Sequence, residues 1–200
     1  MLAPVTRITL FHHVLGLTDG IRGTAAALRA AGDEVRVPDL YDGRTFASIS
    51  EGFAHATEIG FDELHRRAAA AVADEPADIV LGGFSLGVML AQQLLQTRPG
   101  ARGGLFFHSF VDPSSLEGAW PEGTPVRILA TDRDPFFVDD GDLAAAQEWQ
   151  RAHPELEIVQ YPGGGHLFLE PGTPEHDPEA AQRAIADARD FLAELDGPRV

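Results

Sequence analysis

The stretch GFSLG occupies residues 83–87, between an apolar run at residues 79–81 and a second apolar segment at residues 86–96. The run has the length of a short buried strand, and the segment has apolar residues at helical spacing. A Gly-x-Ser-x-Gly stretch in this setting predicts a sharp strand-to-helix turn that lifts the serine hydroxyl out of a sheet. Small residues flank the serine because the strand and the helix pack closely there. The stretch therefore predicts an α/β fold and makes Ser85 a candidate nucleophile.

Strand-like and helix-like segments alternate along nearly the whole chain. The predicted strands are residues 8–14, 34–37, 79–81, 104–107, 126–130 and 156–160. The predicted helices are residues 19–31, 61–73, 86–96, 143–151 and 179–195, and residues 38–52 are predicted to form a long loop. This alternation indicates a mostly parallel sheet with helices on both faces. In such sheets, functional side chains lie at the carboxyl ends of the strands.

Length, charge and cysteine content limit the class of protein. The chain has 200 residues, no cysteine, and 15 basic against 31 acidic residues, which gives a net charge of -16. We expect one domain spanning residues 1–200. The acidic balance disfavours nucleic acids and anionic membranes as partners, and the lack of cysteine excludes disulfides and a thiolate nucleophile. Residues 1–10 lack the pattern of an export signal, so we expect a cytoplasmic protein.

A serine nucleophile needs a base, and the base needs an acid that orients it. In folds with this turn, the chain order is serine, acid, histidine. Asp134 follows the predicted strand 126–130, and His166 follows the strand 156–160 within a glycine-rich loop. Ser85, Asp134 and His166 are therefore the predicted catalytic residues. The backbone N–H of Leu86, at the start of a helix, is a predicted donor to a developing oxyanion.

Asp132 is an alternative acid on the same loop as Asp134. We favour Asp134 because Pro135 disfavours a helical conformation at the preceding residue and holds it extended. Asp132 and Arg133 are instead expected to form a solvated surface pair. Whether Asp132 can substitute for Asp134 stays open at this point.

Three further histidines lie at predicted strand ends. His12 and His13 are adjacent in the strand 8–14, so their side chains are expected on opposite faces, with one of them directed at the site. His108 follows the strand 104–107 and could also face the site. For each of the three, a hydrogen-bonded residue at a strand end is the favoured interpretation. We expect no metal site from them.

The arrangement resembles the dienelactone hydrolase family of α/β-hydrolases over nearly the whole chain. The matching stretches are LFHHVLGL at residues 10–17, VPDLY at residues 37–41, the serine turn, the Asp-Pro loop and YPGGGHLF at residues 161–168. The resemblance implies the α/β-hydrolase fold. It also implies that the second oxyanion donor is the N–H of Val14.

The chain departs from the family pattern at three positions. Ser85 stands where the members named for dienelactone have a cysteine, and His13 replaces a glutamate that gates that cysteine. Glu170 replaces an arginine, four residues after the catalytic histidine, that helps to bind a substrate carboxylate. The resemblance therefore implies a serine member of the family. Dienelactone is not the expected substrate, because the charge of Glu170 would repel an anion and nothing obvious compensates it.

These features predict a serine hydrolase that cleaves small, neutral esters or lactones through an acyl-enzyme, with no metal or organic cofactor. The predicted substrate-binding residues are His13, Tyr41, His108, Phe136 and Glu170, and the loop 38–52 with Phe136 and Phe137 is expected to form the pocket walls. A catalytically silent binding or regulatory protein of the same fold is the alternative. Acyl transfer or perhydrolysis by the same residues is a third reading. The expected partner is a small molecule, and the protein is expected to be a monomer or a homodimer.

Overall fold

A computed structural model describes residues 5–197, and within them six strands form a single parallel sheet. The strands are β1 (Arg7–Phe11), β2 (Glu34–Arg36), β3 (Val80–Phe84), β4 (Gly103–Phe107), β5 (Val126–Thr131) and β6 (Leu156–Tyr161). Their order across the sheet is β2-β1-β3-β4-β5-β6, and every neighbouring pair is parallel. The predicted α/β-hydrolase architecture is confirmed. The ends of the predicted single domain, residues 1–4 and 198–200, lie outside the described residues, and the one-domain assignment stays a prediction.

Helices cover both faces of this sheet. They are α1 (Asp19–Arg29), α2 (Ile49–Ile59), α3 (Phe61–Ala71), α4 (Leu86–Thr97), α5 (Asp142–Gln150) and α6 (Pro178–Asp196). Side chains of α1 and α6 form one apolar core with the sheet, and side chains of α2, α3, α4 and α5 form another. The central strands β3, β4 and β5 are buried along their whole length, as expected for strands covered on both faces.

The prediction of a loop from residue 38 to residue 52 is wrong at its end, because α2 begins at Ile49. Ser48 caps this helix: its Oγ accepts from the N–H of Glu51 (3.3 Å) and donates to the Glu51 carboxylate (3.0 Å). The sequence contained this S-x-x-E pair, a signal for the start of a helix, and here the glutamate binds the serine hydroxyl. Gly52 indicates close packing here and not a loop, since a Cβ at that position would overlap the carbonyl of Val14.

The first strand is shorter than predicted. It ends at Phe11, so His12 and His13 lie in the following loop and the strand rule for opposite faces does not apply to them. A turn forms there, in which the N–H of Gly16 donates to the carbonyl of His13 (3.0 Å). The turn is possible because Gly16 adopts a positive φ of 86°, which a residue without Cβ accepts readily. The other elements differ from the predictions by a few residues at their ends.

Residues 5–197 contain no helix that is long and apolar enough to cross a bilayer.

Candidate active site

Ser85 lies on a strained turn between β3 and α4. Its φ is 50° and its ψ is -114°, a region that residues with a Cβ rarely occupy. Two hydrogen bonds hold the turn: the Ser85 N–H donates to the carbonyl of Phe107 (3.0 Å), and the Ser85 carbonyl accepts from Val88 (2.8 Å). Gly83 and Gly87 are required on either side, because a Cβ on either residue would overlap neighbouring backbone. Strand and helix packing thus fixes the position of the hydroxyl.

The structure brings Ser85, His166 and Asp134 into one hydrogen-bonded chain. Ser85 Oγ lies 2.8 Å from His166 Nε2, and His166 Nδ1 lies 2.7 Å from Asp134 Oδ2. The Asp134 carboxylate is fully buried, and its other oxygen accepts from the N–H of Phe136 (2.9 Å). A carboxylate beside Nδ1 requires an N–H at that nitrogen, which leaves Nε2 free to accept from the serine hydroxyl.

The rival acid has other partners. Asp132 Oδ1 accepts from the N–H of Gly163 (2.9 Å) and lies 3.6 Å from Nε of Arg133. Its side chain is 47% exposed, so the expected surface pair with Arg133 is present. Asp134 is extended, with a ψ of 114°, in agreement with the restriction imposed by Pro135.

Glu175 supports the segment that carries His166, and sequence reasoning missed it. Its Oε2 accepts from the backbone N–H groups of His166 (2.7 Å) and Leu167 (3.1 Å). No local pattern marks this role, because a glutamate nine residues after a histidine resembles any other acidic loop residue.

Val14 and Leu86, the two predicted oxyanion donors, pack in the same apolar cluster. Val14 is buried with Leu15 and Leu167, and Leu86 and Phe46 pack against them. Leu86 is the first residue of α4, where backbone N–H groups have no partner within the helix. The two donors thus come from segments that meet beside the loop of His166.

His12 is a structural residue whose two nitrogens are both occupied. Nδ1 donates to the carbonyl of His13 (2.8 Å), and Nε2 accepts from the N–H of Leu40 (3.1 Å). Burial lowers the pKa of His12 to about 4, although the bond to the His13 carbonyl acts in the opposite direction. His12 therefore stays neutral and joins the loop after β1 to the loop after β2.

His108 lies beside the catalytic candidate His166. Its ring meets the His166 ring edge to face, with the centroids 4.6 Å apart. His108 has a positive φ of 50° and is buried, and its Nδ1 has no hydrogen-bond partner within residues 5–197. Burial, followed by the nearby His166 and His13, holds the pKa of His108 well below its usual value. A neutral ring therefore packs against His166.

Glu170 is buried, and its charge is compensated, so the expectation of an uncompensated anion is wrong. Its carboxylate accepts from Thr18 Oγ1 (2.6 Å), the N–H of Gly20 (3.2 Å) and His13 Nε2 (3.2 Å). Gly20 belongs to the first turn of α1, where the helix dipole favours negative charge. The sequence could not show these donors because they lie some 150 residues away along the chain.

The remaining predicted pocket residues occupy different environments. Phe136 is 41% exposed, and its ring centroid lies 4.6 Å from that of His166. Phe137 is fully buried in the core, so its assignment to a pocket wall is wrong. Tyr41 is also buried, and burial raises its pKa to about 12. Within the part of the chain that the structure describes, no group of three or more acidic or histidine side chains is suited to a metal ion.

The sequence of the chain also matches a known protein family. The family model of the dienelactone hydrolase family matches residues 2–195. The chain belongs to this family. A search of curated protein sequences finds no significant match.

Solved structures of other family-like hydrolases share this fold. A dienelactone hydrolase-like promiscuous phosphotriesterase from metagenomic libraries superposes with a TM-score of 0.76 at 22% identity, over 98% of this chain and 88% of the other. A dienelactone hydrolase from Anabaena variabilis superposes with a TM-score of 0.67 at 17% identity, over 95% and 87%. The family and these structural neighbours are hydrolases.

Proposed function

We propose that this family member is a serine hydrolase that cleaves small, uncharged carboxylic esters or lactones through an acyl-enzyme. The observation that carries the proposal is the continuous hydrogen-bonded chain from Ser85 Oγ through His166 to the buried Asp134, with contacts of 2.8 and 2.7 Å. These distances lie within the range needed for proton transfer between a nucleophile and its base.

The first half of the reaction follows from this chain. Ser85 Oγ attacks the carbonyl carbon while His166 Nε2 takes the hydroxyl proton, and the carbonyl electron pair moves to its oxygen. The N–H groups of Leu86 and Val14 donate to this oxyanion. The tetrahedral intermediate then collapses, the bond to the leaving oxygen breaks, and His166 gives its proton to the departing alcohol.

A water molecule repeats these steps on the acyl-enzyme. His166 removes a proton from the water as its oxygen attacks, and the acid leaves when Ser85 Oγ regains a proton from His166. Asp134 holds the imidazole tautomer and stabilises the imidazolium in both halves. The burial of Asp134 supports this role, because the attraction between opposite charges is stronger away from water.

Neutral substrates fit the surroundings of Ser85 best. The half-exposed Phe136 ring lies over His166, and Phe46, Leu86 and Leu167 belong to the apolar cluster beside it. Glu170 stands where the family's substrate-binding arginine is expected. An apolar acyl or alkoxy group would gain from burial against such side chains, whereas a substrate carboxylate would lack that arginine.

A fluorophosphonate probe tests the proposal directly. The wild-type protein is expected to gain the mass of one phosphonyl group on Ser85, whereas Ser85→Ala should not react. Ser115→Ala is the matched control, since its hydroxyl donates to the carbonyl of Asp112 in a separate turn, and it should label like the wild type. Failure of the folded wild type to label would overturn the proposal and favour a silent binding protein.

A further inference from the structure

One buried carboxylate joins the two segments that carry the catalytic base and the second oxyanion donor. Glu170 lies four residues after His166, on a turn closed by its own N–H donating to the carbonyl of Leu167 (2.8 Å). Its oxygens reach across to Thr18, Gly20 and His13. We call residues 12–16 the oxyanion loop, because they contain His13 and Val14. Glu170 therefore links the histidine segment to this loop and to α1.

The contact is built into the packing of α1. A Cβ on Gly20 would come within 2.7 Å of the Glu170 carboxyl carbon, so glycine is needed there for the backbone N–H to approach. Burial raises the pKa of Glu170, but the hydrogen bonds from His13 and Thr18 outweigh that effect and leave the pKa below its usual value. The carboxylate is therefore ionised at neutral pH and acts as an acceptor only.

His13, which binds Glu170, makes hydrogen bonds through both its ring and its backbone carbonyl. Nε2 must carry the proton of this hydrogen bond, because an ionised carboxylate only accepts. The carbonyl of His13 accepts from the N–H of Gly16 (3.0 Å) and from His12 Nδ1 (2.8 Å). The carbonyl is thus held by two donors and the ring by Glu170 through Nε2, while Nδ1 has no partner within residues 5–197.

The fixed carbonyl sets the direction of the neighbouring donor. The carbonyl of His13 and the N–H of Val14 belong to the same planar trans peptide unit, in which they point in opposite directions. Anchoring one therefore orients the other. The Val14 N–H is the group that the proposed mechanism needs to aim at the oxyanion, and such donors contribute most when they are oriented before the reaction.

Two departures from the family pattern that the resemblance implies meet in one contact. His13, at the expected position of the gating glutamate, and Glu170, at that of the arginine, lie 3.2 Å apart (Nε2 to Oε2). The hydroxyl of Ser85 is hydrogen bonded to His166 and not to His13.

We propose that Glu170 is a positioning residue that, by holding the His13 side chain, fixes the oxyanion loop and its oriented Val14 N–H against the histidine segment. The inference rests on the proposed hydrolase function, because it states how the oxyanion site of that reaction is kept in place. It does not require Glu170 to touch the substrate.

Glu170→Gln tests this role with little change in volume. The amide loses the charge, and its NH2 group faces either the N–H of Gly20 or the donors of His13 and Thr18, so it cannot accept from all three. The quantities to measure are kcat and KM on a neutral chromogenic ester, and the inhibition constant of a trifluoromethyl ketone that forms an oxyanion on Ser85. We expect kcat and inhibitor affinity to fall together by about 10- to 100-fold, with KM nearly unchanged, as for other losses of oxyanion stabilisation.

Three further variants separate positioning from general damage. Glu179→Gln makes the same chemical change on an exposed side chain of α6 and should behave like the wild type. His13→Gln keeps an N–H donor for Glu170 and should retain more activity than His13→Leu, which has none. His13→Leu is also the test of the role if Glu170→Gln fails to fold.

The outcomes distinguish this inference from the function beneath it. If the wild type hydrolyses the ester and Glu170→Gln or His13→Leu matches it in kcat and inhibitor affinity, the positioning role is wrong and the hydrolase function stands. A rise in KM with unchanged kcat would also contradict the role, since it would indicate direct substrate binding. If the folded wild type neither labels nor turns over, the function fails and the inference fails with it.

Discussion

Asp134 and Asp132 lie two residues apart, yet their carboxylates have different partners. Asp134 is buried against Nδ1 of His166 at 2.7 Å, whereas Asp132 faces solvent and binds Gly163 and Arg133. The difference arises locally, because Pro135 holds Asp134 extended and the Asp134 carboxylate also receives the N–H of Phe136. At the scale of the single residue, the restriction that Pro135 imposes on Asp134 favours this aspartate as the partner of His166.

Asparagine substitution at each position tests this selection. Asp134→Asn should lower kcat by about 10⁴-fold, because an amide cannot stabilise the imidazolium and favours the wrong tautomer. Asp132→Asn should change kcat by less than about threefold, since surface charges away from a site contribute little. Steady-state hydrolysis of a neutral chromogenic ester measures both. Equal losses in the two variants would contradict the assignment of Asp134.

At the scale of elements, helical glycines mark where backbones touch. Gly87 in α4 packs against the carbonyls of Phe11 and His12 at the end of β1, and Gly52 in α2 packs against Val14. Both contacts bring a helix close to the oxyanion loop. Gly23 in α1 differs, because a Cβ there would meet nothing within 4 Å. The same residue type therefore has a packing role in one helix and none in another.

Alanine substitution separates these two kinds of glycine. Gly87→Ala should lower the free energy of unfolding by about 3 kcal/mol, because the new methyl group must displace backbone. Gly23→Ala should raise it by about 1 kcal/mol, since alanine has the higher helix propensity. Urea unfolding followed by circular dichroism gives both values. A destabilised Gly23→Ala or a neutral Gly87→Ala would show that the packing argument is wrong.

The stability of the whole molecule depends on histidines that stay neutral in its interior. His12 connects the loops after β1 and β2 through two hydrogen bonds, and His108 packs between Phe84, His166 and Phe168. Burial lowers the pKa of both. Protonation of His12 would also remove the lone pair that accepts from Leu40. A low pH is therefore expected to destabilise the loops at the carboxyl end of the sheet, where both histidines lie.

The pH dependence of unfolding should show the contribution of His12. Its pKa is about 4 in the folded protein and about 6.5 in an unperturbed histidine, so the unfolded chain binds the proton first as the pH falls. The stability associated with neutral His12 is complete above pH 6.5 and is lost towards pH 4, by up to about 3 kcal/mol. His12→Gln, which can keep an amide donor and acceptor without titrating, should lose less between pH 7 and 4.5. Equal losses in urea unfolding would contradict this.

The sequence predicted much of the fold because strands and helices leave local periodic signals. Six strands and five of the six helices had such signals, and the serine turn, the Asp-Pro loop and the glycine-rich loop lie in the predicted order. The sequence did not predict helix α2, although the S-x-x-E signal for its start was present, because Gly52 favoured a loop. Phe137 was misplaced because a run of two phenylalanines does not reveal which of them faces the core.

What the sequence by itself determined is the order of the elements and the identity of the residues at the strand ends, since these depend on neighbours along the chain. Tertiary structure alone decided which of these residues touch. The bond between His13 and Glu170 joins residues 157 positions apart. Glu175, which accepts from the backbone N–H of His166, lies in a loop with no motif. Such contacts follow from the order of strands in the sheet and from close backbone packing, which no local pattern encodes.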